Sequence, residues 1–303
     1  MNDETRDETR DETRYDSLAM GPEYPGTVPT ISYLKHNPNM LGLEIEQTVD
    51  HWYRLEGKLY PGVSEIFRHI ESPGLQKWKD ETSLEEKAYK KAKSTERGNV
   101  FHENVVREEC GLEPLWDSQV FRKYMEDQGQ RRFPPARIVD EMERFRESQK
   151  AMFERWRDFR KQTIKSVYLL EQNVVSRVYG YGGRFDVVFD LPDGRKLLGD
   201  FKTGRHDETF LWRAAGYEFA YREITGEKLA TCLLYISEKK VSMIQPDHPD
   251  WHWFLFRVSL MEWKGLNFRI ATKEKALPIE QMLEYSVEET ELEKFIRSKE
   301  DVS

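Results

Sequence analysis

Apolar positions change period along this 303-residue chain, and the changes divide it into regions. Residues 3–14 are three copies of Asp-Glu-Thr-Arg without an apolar position, so residues 1–26 are expected to form a disordered acidic arm. Residues 27–60 are mixed, with a strand candidate at 55–60. Helical spacing then prevails to residue 163. Ile138, Met142, Phe145, Met152, Trp156 and Phe159 mark one long amphipathic helix, and Pro134-Pro135 supplies its start. Residues 27–163 are therefore expected as a mainly helical N-terminal region. Residues 166–177, 183–191 and 196–203 have the β-branched, aromatic and alternating character of strands. Phe210, Ala214, Tyr217, Tyr221 and Ile224 return to helical spacing, with Gly226 placed to cap the helix. A strand follows at 231–237. The apolar run 251–258 (WHWFLFRV) predicts another strand, and residues 260–284 a last helical region before an acidic tail at 286–303. The order helix, three strands, helix, strand predicts an α/β (α+β) core over residues 164–285.

One hairpin carries the densest chemistry. Its arms are residues 184–190 and 196–203, joined by Pro192-Asp193-Gly194, a turn signal. Asp200 and Lys202 stand at i and i+2, so a strand presents both on one face. The turn folds Asp186 back toward Asp200. Two neighbouring carboxylates repel unless a cation lies between them, and hard oxygen ligands suit Mg²⁺. The alternative is a surface hairpin with solvated charges. Against it, Val187, Val188, Phe189, Leu197, Leu198 and Phe201 embed the charges in apolar surroundings.

These residues resemble a known family. Gly182-Gly183-Arg184-Phe185-Asp186, followed by Asp200-Phe201-Lys202-Thr203-Gly204, is similar to the core of the PD-(D/E)XK nuclease superfamily, in its RecB-type exonuclease branch. That branch includes phage recombination exonucleases and the mitochondrial genome maintenance exonuclease. Tyr60-Pro61-Gly62-Val63-Ser64-Glu65-Ile66 with Leu75-Gln76-Lys77-Trp78 resembles the family's amino-terminal signature. Arg97-Gly98-Asn99-Val100-Phe101-His102 resembles its R-G-T-x-x-H element, and Leu170-Glu171-Gln172-Asn173-Val174 its E-x-x-V strand. The resemblance implies a restriction-endonuclease-like core, a mixed central sheet flanked by helices. It also implies metal-dependent DNA cleavage with one or two Mg²⁺ or Mn²⁺ ions, held by His102, Asp186, Asp200 and the Phe201 carbonyl. Glu171 lies at the edge of that site and Lys202 serves the attacking water. The family's Q-x-x-x-Y helix places Arg213 and Tyr217 on nucleic acid, although Arg213 stands where the family has glutamine. Tyr217 and Tyr221 read equally well as core aromatics. Arg97 and Arg184, inside the matched motifs, are further expected DNA contacts.

Composition narrows this picture. Cys110 and Cys232 are the two cysteines, which suits a reduced, cytoplasmic setting in a bacterium or phage-infected cell and excludes the four-thiolate iron–sulfur cluster of some relatives. There is no run of about 18 apolar residues, so no membrane span is expected. The glycine-rich stretch 21–26 lacks the lysine of a phosphate-binding loop. The net charge of −8 lies in the termini: residues 1–20 and 284–303 each hold seven acids and three bases. Within the neutral remainder, Arg155, Arg157, Arg160, Lys161 and Lys165 interleave with Phe153, Trp156 and Phe159. They read as an amphipathic helix with aromatics inward, and as a basic face for DNA. The expected function is a DNA exonuclease of recombination, repair or end processing. Its expected partner besides DNA is a single-strand annealing or single-strand binding protein, and an oligomer is open. A structure-specific endonuclease and a non-catalytic nucleic-acid-binding protein remain the alternatives.

Overall fold

The computed structural model describes residues 40–48, 51–70, 82–132 and 134–275. The acidic arm, the Leu75–Trp78 motif and the C-terminal tail lie outside the described residues. The chain divides into two compact units, residues 1–257 and 258–303.

The first unit opens with a small antiparallel sheet, β1 (Ile45–Gln47), β2 (Tyr53–Leu55) and β3 (Lys58–Tyr60). The single strand expected at 55–60 is instead a tight hairpin. Glu56 and Gly57 both have positive φ, 51° and 78°, the conformation a two-residue β-turn requires. Glu-Gly is a weaker turn signal than Asn-Gly, which hid the reversal. A short helix α1 (Val63–Ile66) and a 3₁₀ turn at Phe67–His69 follow.

Three helices come next: α2 (Leu84–Glu109), α3 (Gln119–Arg132) and α4 (Pro135–Thr163). Ser83 caps α2, its hydroxyl accepting from Glu86 N at 3.2 Å. Pro135 opens α4, where its missing N–H costs nothing. The basic residues of α4 are largely committed to protein. Arg157 grips Glu108 and Arg160 grips Glu109, each at 2.6 Å, fastening α4 to α2. The aromatic stripe faces inward as expected, with Phe153 and Trp156 fully buried.

The five-stranded sheet has the order β4 (Ser166–Ser176), β5 (Tyr181–Asp190), β6 (Lys196–Lys202), β7 (Ala230–Ile236), β8 (Val241–Ile244). All neighbours are antiparallel except β6 and β7, whose parallel pairing needs a crossover; helix α5 (Thr209–Thr225) supplies it. Gly226 ends α5 with φ 75°, as its position predicts. This is a mixed sheet flanked by helices, the α+β class expected. β7 shows why its sequence is continuously apolar. Cys232, Leu234 and Ile236 pack with Phe101, Met152 and Trp156 of α2 and α4, while Leu233 packs with Leu211 and Ala214 of α5. β8 was not foreseen, because it is four half-buried residues behind a turn closed by Ser237 N to Lys240 O.

The run 251–258 is not a strand. It belongs to helix α6 (Pro249–Lys275). A short apolar run carries no period that separates strand from helix. The helix aligns rings three apart: Trp251 stacks with Phe254 at 5.2 Å and Trp253 with Phe256 at 5.5 Å. No described helix is long and apolar enough to cross a membrane.

Candidate active site

Four elements deliver the candidate side chains. On β6, Phe201 turns toward the helices α2 and α4, edge-on to Phe101 at 5.7 Å and to Trp156 at 5.1 Å. Strand alternation then points its neighbours Asp200 and Lys202 the other way. The Lys202 ammonium meets the Asp200 carboxylate, lies 3.2 Å from the Phe201 carbonyl, and sits 4.9 Å from the Phe210 ring centre. Asp200 is 4% exposed, and its Oδ2 has the ammonium as its ionic partner.

Asp186 lies on β5 one position beyond the Val187–Gly199 pair of the hairpin. Its Oδ2 accepts a hydrogen bond from Phe201 N at 2.5 Å, which fixes the carboxylate across the two strands. Its Oδ1 is 3.5 Å from His102 Nδ1 of α2. The same nitrogen is 3.0 Å from Glu171 Oε1 of β4. Glu171 also pairs through Oε2 with Arg184 Nε at 3.0 Å. Leu170–Val187 and Gln172–Phe185 pair on either side of it, so Glu171 occupies the ladder position facing Asp186. There its φ is 50°. A non-glycine residue in that region costs about 1–3 kcal/mol, and such strain concentrates at functional sites.

His102, Glu171 and Asp186 offer ligand atoms within 4.8 Å of one another. Their electrostatics ask for a cation. Burial pushes the Asp186 carboxyl up to about 7; His102 opposes this, while the Asp200 and Glu171 carboxylates add to it. For His102, burial acts downward, but the Asp186 and Glu171 carboxylates outweigh it and raise the imidazole to about 9. One imidazole nitrogen and two carboxylates form a donor set suited to a divalent first-row or hard cation.

Both groups therefore titrate higher in the folded chain than in the unfolded one. The Asp186 contribution to stability is complete below the ordinary carboxyl value of 3.8 and is lost as pH rises through about 7. The His102 contribution is complete below 6.5 and is lost as pH rises through about 9. A divalent cation held by the cluster would replace what is lost. Its stabilising effect is thus expected to grow between pH 6 and pH 9. At a hundredfold excess over Kd it amounts to about 2.7 kcal/mol, or roughly 5–10 °C in Tm. Thermal melts with Mn²⁺ and with EDTA across that range check this; a gain that shrinks with pH contradicts it.

The cluster opens into a cleft of about 550 Å³ whose walls include Gln47, His51, Tyr53 and Ser64 as well as Arg184 and Tyr217. A larger cavity of about 940 Å³ beside it shares Gln47 and Arg184 but contains none of the three clustered ligands. The three clustered ligand groups line the smaller one.

The structure brings the expected residues together unevenly. Glu171 joins His102 and Asp186, whereas Asp200 is paired with Lys202 and is not one of the three. Tyr217 is buried and lines the cleft. Arg184 stands at the mouth, its side chain 44% exposed. Arg97 is turned inward: its guanidinium donates to the Thr203 carbonyl, tying α2 to the end of β6. Arg213 is stacked between Phe67 and Phe210, its guanidinium carbon 5.0 and 5.4 Å from the ring centres. Lys165 sits beside Asp190, its N donating to the Asp190 carbonyl at 2.8 Å. That is four residues from Asp186, or about 13 Å along the strand. Sequence reasoning missed His51 and Gln47, which match no motif.

No family model matches the chain, and no curated protein matches it. Among solved structures, the chain is similar to a protein from Eubacterium rectale named "Putative exonuclease", with 13% identity and a TM-score of 0.38 over 70% of this chain and 80% of that one. It is also similar to the protein SSO0001, with 14% identity and a TM-score of 0.23 over 46% of this chain and 69% of that one. Likenesses at this level do not by themselves establish a shared activity.

Proposed function

We propose that the protein is a metal-dependent nuclease that hydrolyses phosphodiester bonds of DNA, working from a strand end. The observation that supports this most is one cleft holding His102, Glu171 and Asp186 beside the Asp200–Lys202 pair. Mg²⁺ or Mn²⁺ held by those three side chains would polarise the phosphate and acidify water, chemistry that phosphodiester hydrolysis needs at neutral pH. The chain's own groups do the rest. Phe201 N holds Asp186 in place through Oδ2. Asp200 and the Phe201 carbonyl orient the Lys202 ammonium, which positions the attacking water or meets charge building on the phosphate. Arg184, anchored by Glu171, offers its remaining N–H groups to a phosphate at the mouth. Tyr217 closes the floor and keeps bulk water from the carboxylates.

Digestion of an end-labelled linear duplex, a linear single strand and a covalently closed circle, with Mg²⁺ and with Mn²⁺, tests this. Loss of the linear substrates with an intact circle is expected. Cutting of the circle replaces the end-dependent mode with an endonuclease, and no cutting with either ion overturns the proposal.

A further inference from the structure

We propose that His51, held by Gln47, is a phosphate-binding residue that grips the nucleic-acid strand from the wall of the cleft built by the small sheet. This rests on the nuclease reading of the cleft. His51 and Gln47 line the same 550 Å³ space as His102, Glu171 and Asp186, but come from the β1–β2 connection and the end of β1. The connection is tightly framed. Thr48 N donates to the Trp52 carbonyl at 2.8 Å, His51 N to the Thr48 carbonyl at 3.0 Å, and Trp52 N to Thr48 Oγ1 at 3.2 Å. Gly62 completes the clamp: a Cβ there would stand 2.0 Å from the His51 carbonyl oxygen, so glycine is required for the two backbones to meet.

This frame forces His51 to φ 58°, in the left-handed region. Glycine would occupy that region without strain, and few non-glycine residues enter it. A non-glycine residue held there carries backbone strain, and strain of this kind at a cleft points to the side chain's use. Its orientation is set as well. Gln47 Nε2 lies 2.6 Å from His51 Nδ1. With Gln47 on Nδ1, Nε2 is the ring nitrogen left to meet a ligand, and in the tautomer in which Nδ1 accepts it carries the N–H. The imidazole therefore offers Nε2 to a cleft in which the Glu171 carboxylate is already engaged by His102 and Arg184. A non-bridging phosphate oxygen is the acceptor that a DNA strand would bring to it.

The test separates backbone from side chain. His51→Asn suits the left-handed backbone and removes the Nε2 donor; His51→Gln puts an amide N–H near the same place. With linear DNA and Mg²⁺, His51→Asn is expected to raise KM about tenfold with kcat within twofold, while its Tm equals or exceeds that of the unsubstituted protein. His51→Gln is expected to recover most of the loss. Arg184→Gln, which removes a charge from the mouth, should flatten the salt dependence of KM. A His51→Asn enzyme with unchanged KM, or one whose loss follows a fall in Tm, overturns the assignment. Failure of the nuclease reading is distinct, since the unsubstituted protein would then cut nothing.

Discussion

Asp186→Asn is expected to abolish metal-supported DNA cleavage, by 10³-fold or more, while leaving the metal-free protein at least as stable at pH 8. A thousandfold loss corresponds to about 4 kcal/mol of transition-state stabilisation. The two effects have one origin. Asp186 is 7% exposed, faces Glu171, and is near Asp200, so its charged form is disfavoured without a cation. The amide of Asn keeps an oxygen for Phe201 N, which Asp186 now satisfies at 2.5 Å. It removes the charge that raises His102 and that a cation requires. Digestion of labelled DNA and melts in EDTA at pH 8 measure both. Cleavage within tenfold of the unsubstituted protein would remove Asp186 from the site.

Lys202→Met is expected to lower kcat by about 10²–10³, the cost of losing one preorganised donor to developing charge, with divalent-metal uptake retained. Methionine keeps an unbranched apolar stem over the Phe210 ring and deletes the ammonium. The substitution also strands Asp200, buried at 4% exposure, and breaking such a pair costs about 3–5 kcal/mol. Adding Asp200→Asn should recover the stability without the activity. This pairing distinguishes a catalytic lysine from a structural one: if the double variant regained both, Lys202 would serve only to neutralise Asp200.

The hairpin at the centre of the site was legible because its determinants are local. Pro192-Asp193-Gly194 sets the turn, alternation places Asp200 and Lys202 together, and Asp186 follows from the register. The third member of the candidate donor cluster was less legible. Which carboxylate meets His102 depends on how α2 lies on the sheet and on the left-handed kink at Glu171, and neither is written in the spacing of β4. Arg213 shows the same limit. Its ring partner Phe67 is distant in sequence, so the aromatic stack that holds the guanidinium could not be read from the motif position. The basic residues of α4 find Glu108 and Glu109 only once α2 is packed alongside. His51 was illegible for a related reason: its place in the cleft follows from the close approach of Gly62.

The central claim is that His102, Glu171 and Asp186, from α2, β4 and β5, hold a divalent cation. Calorimetric titration of Mn²⁺ at pH 8 into the unsubstituted protein and into Glu171→Gln tests it most directly. The account predicts saturable uptake by the former, weakened at least tenfold in the latter. No uptake by the unsubstituted protein, or equal uptake by both, would contradict it.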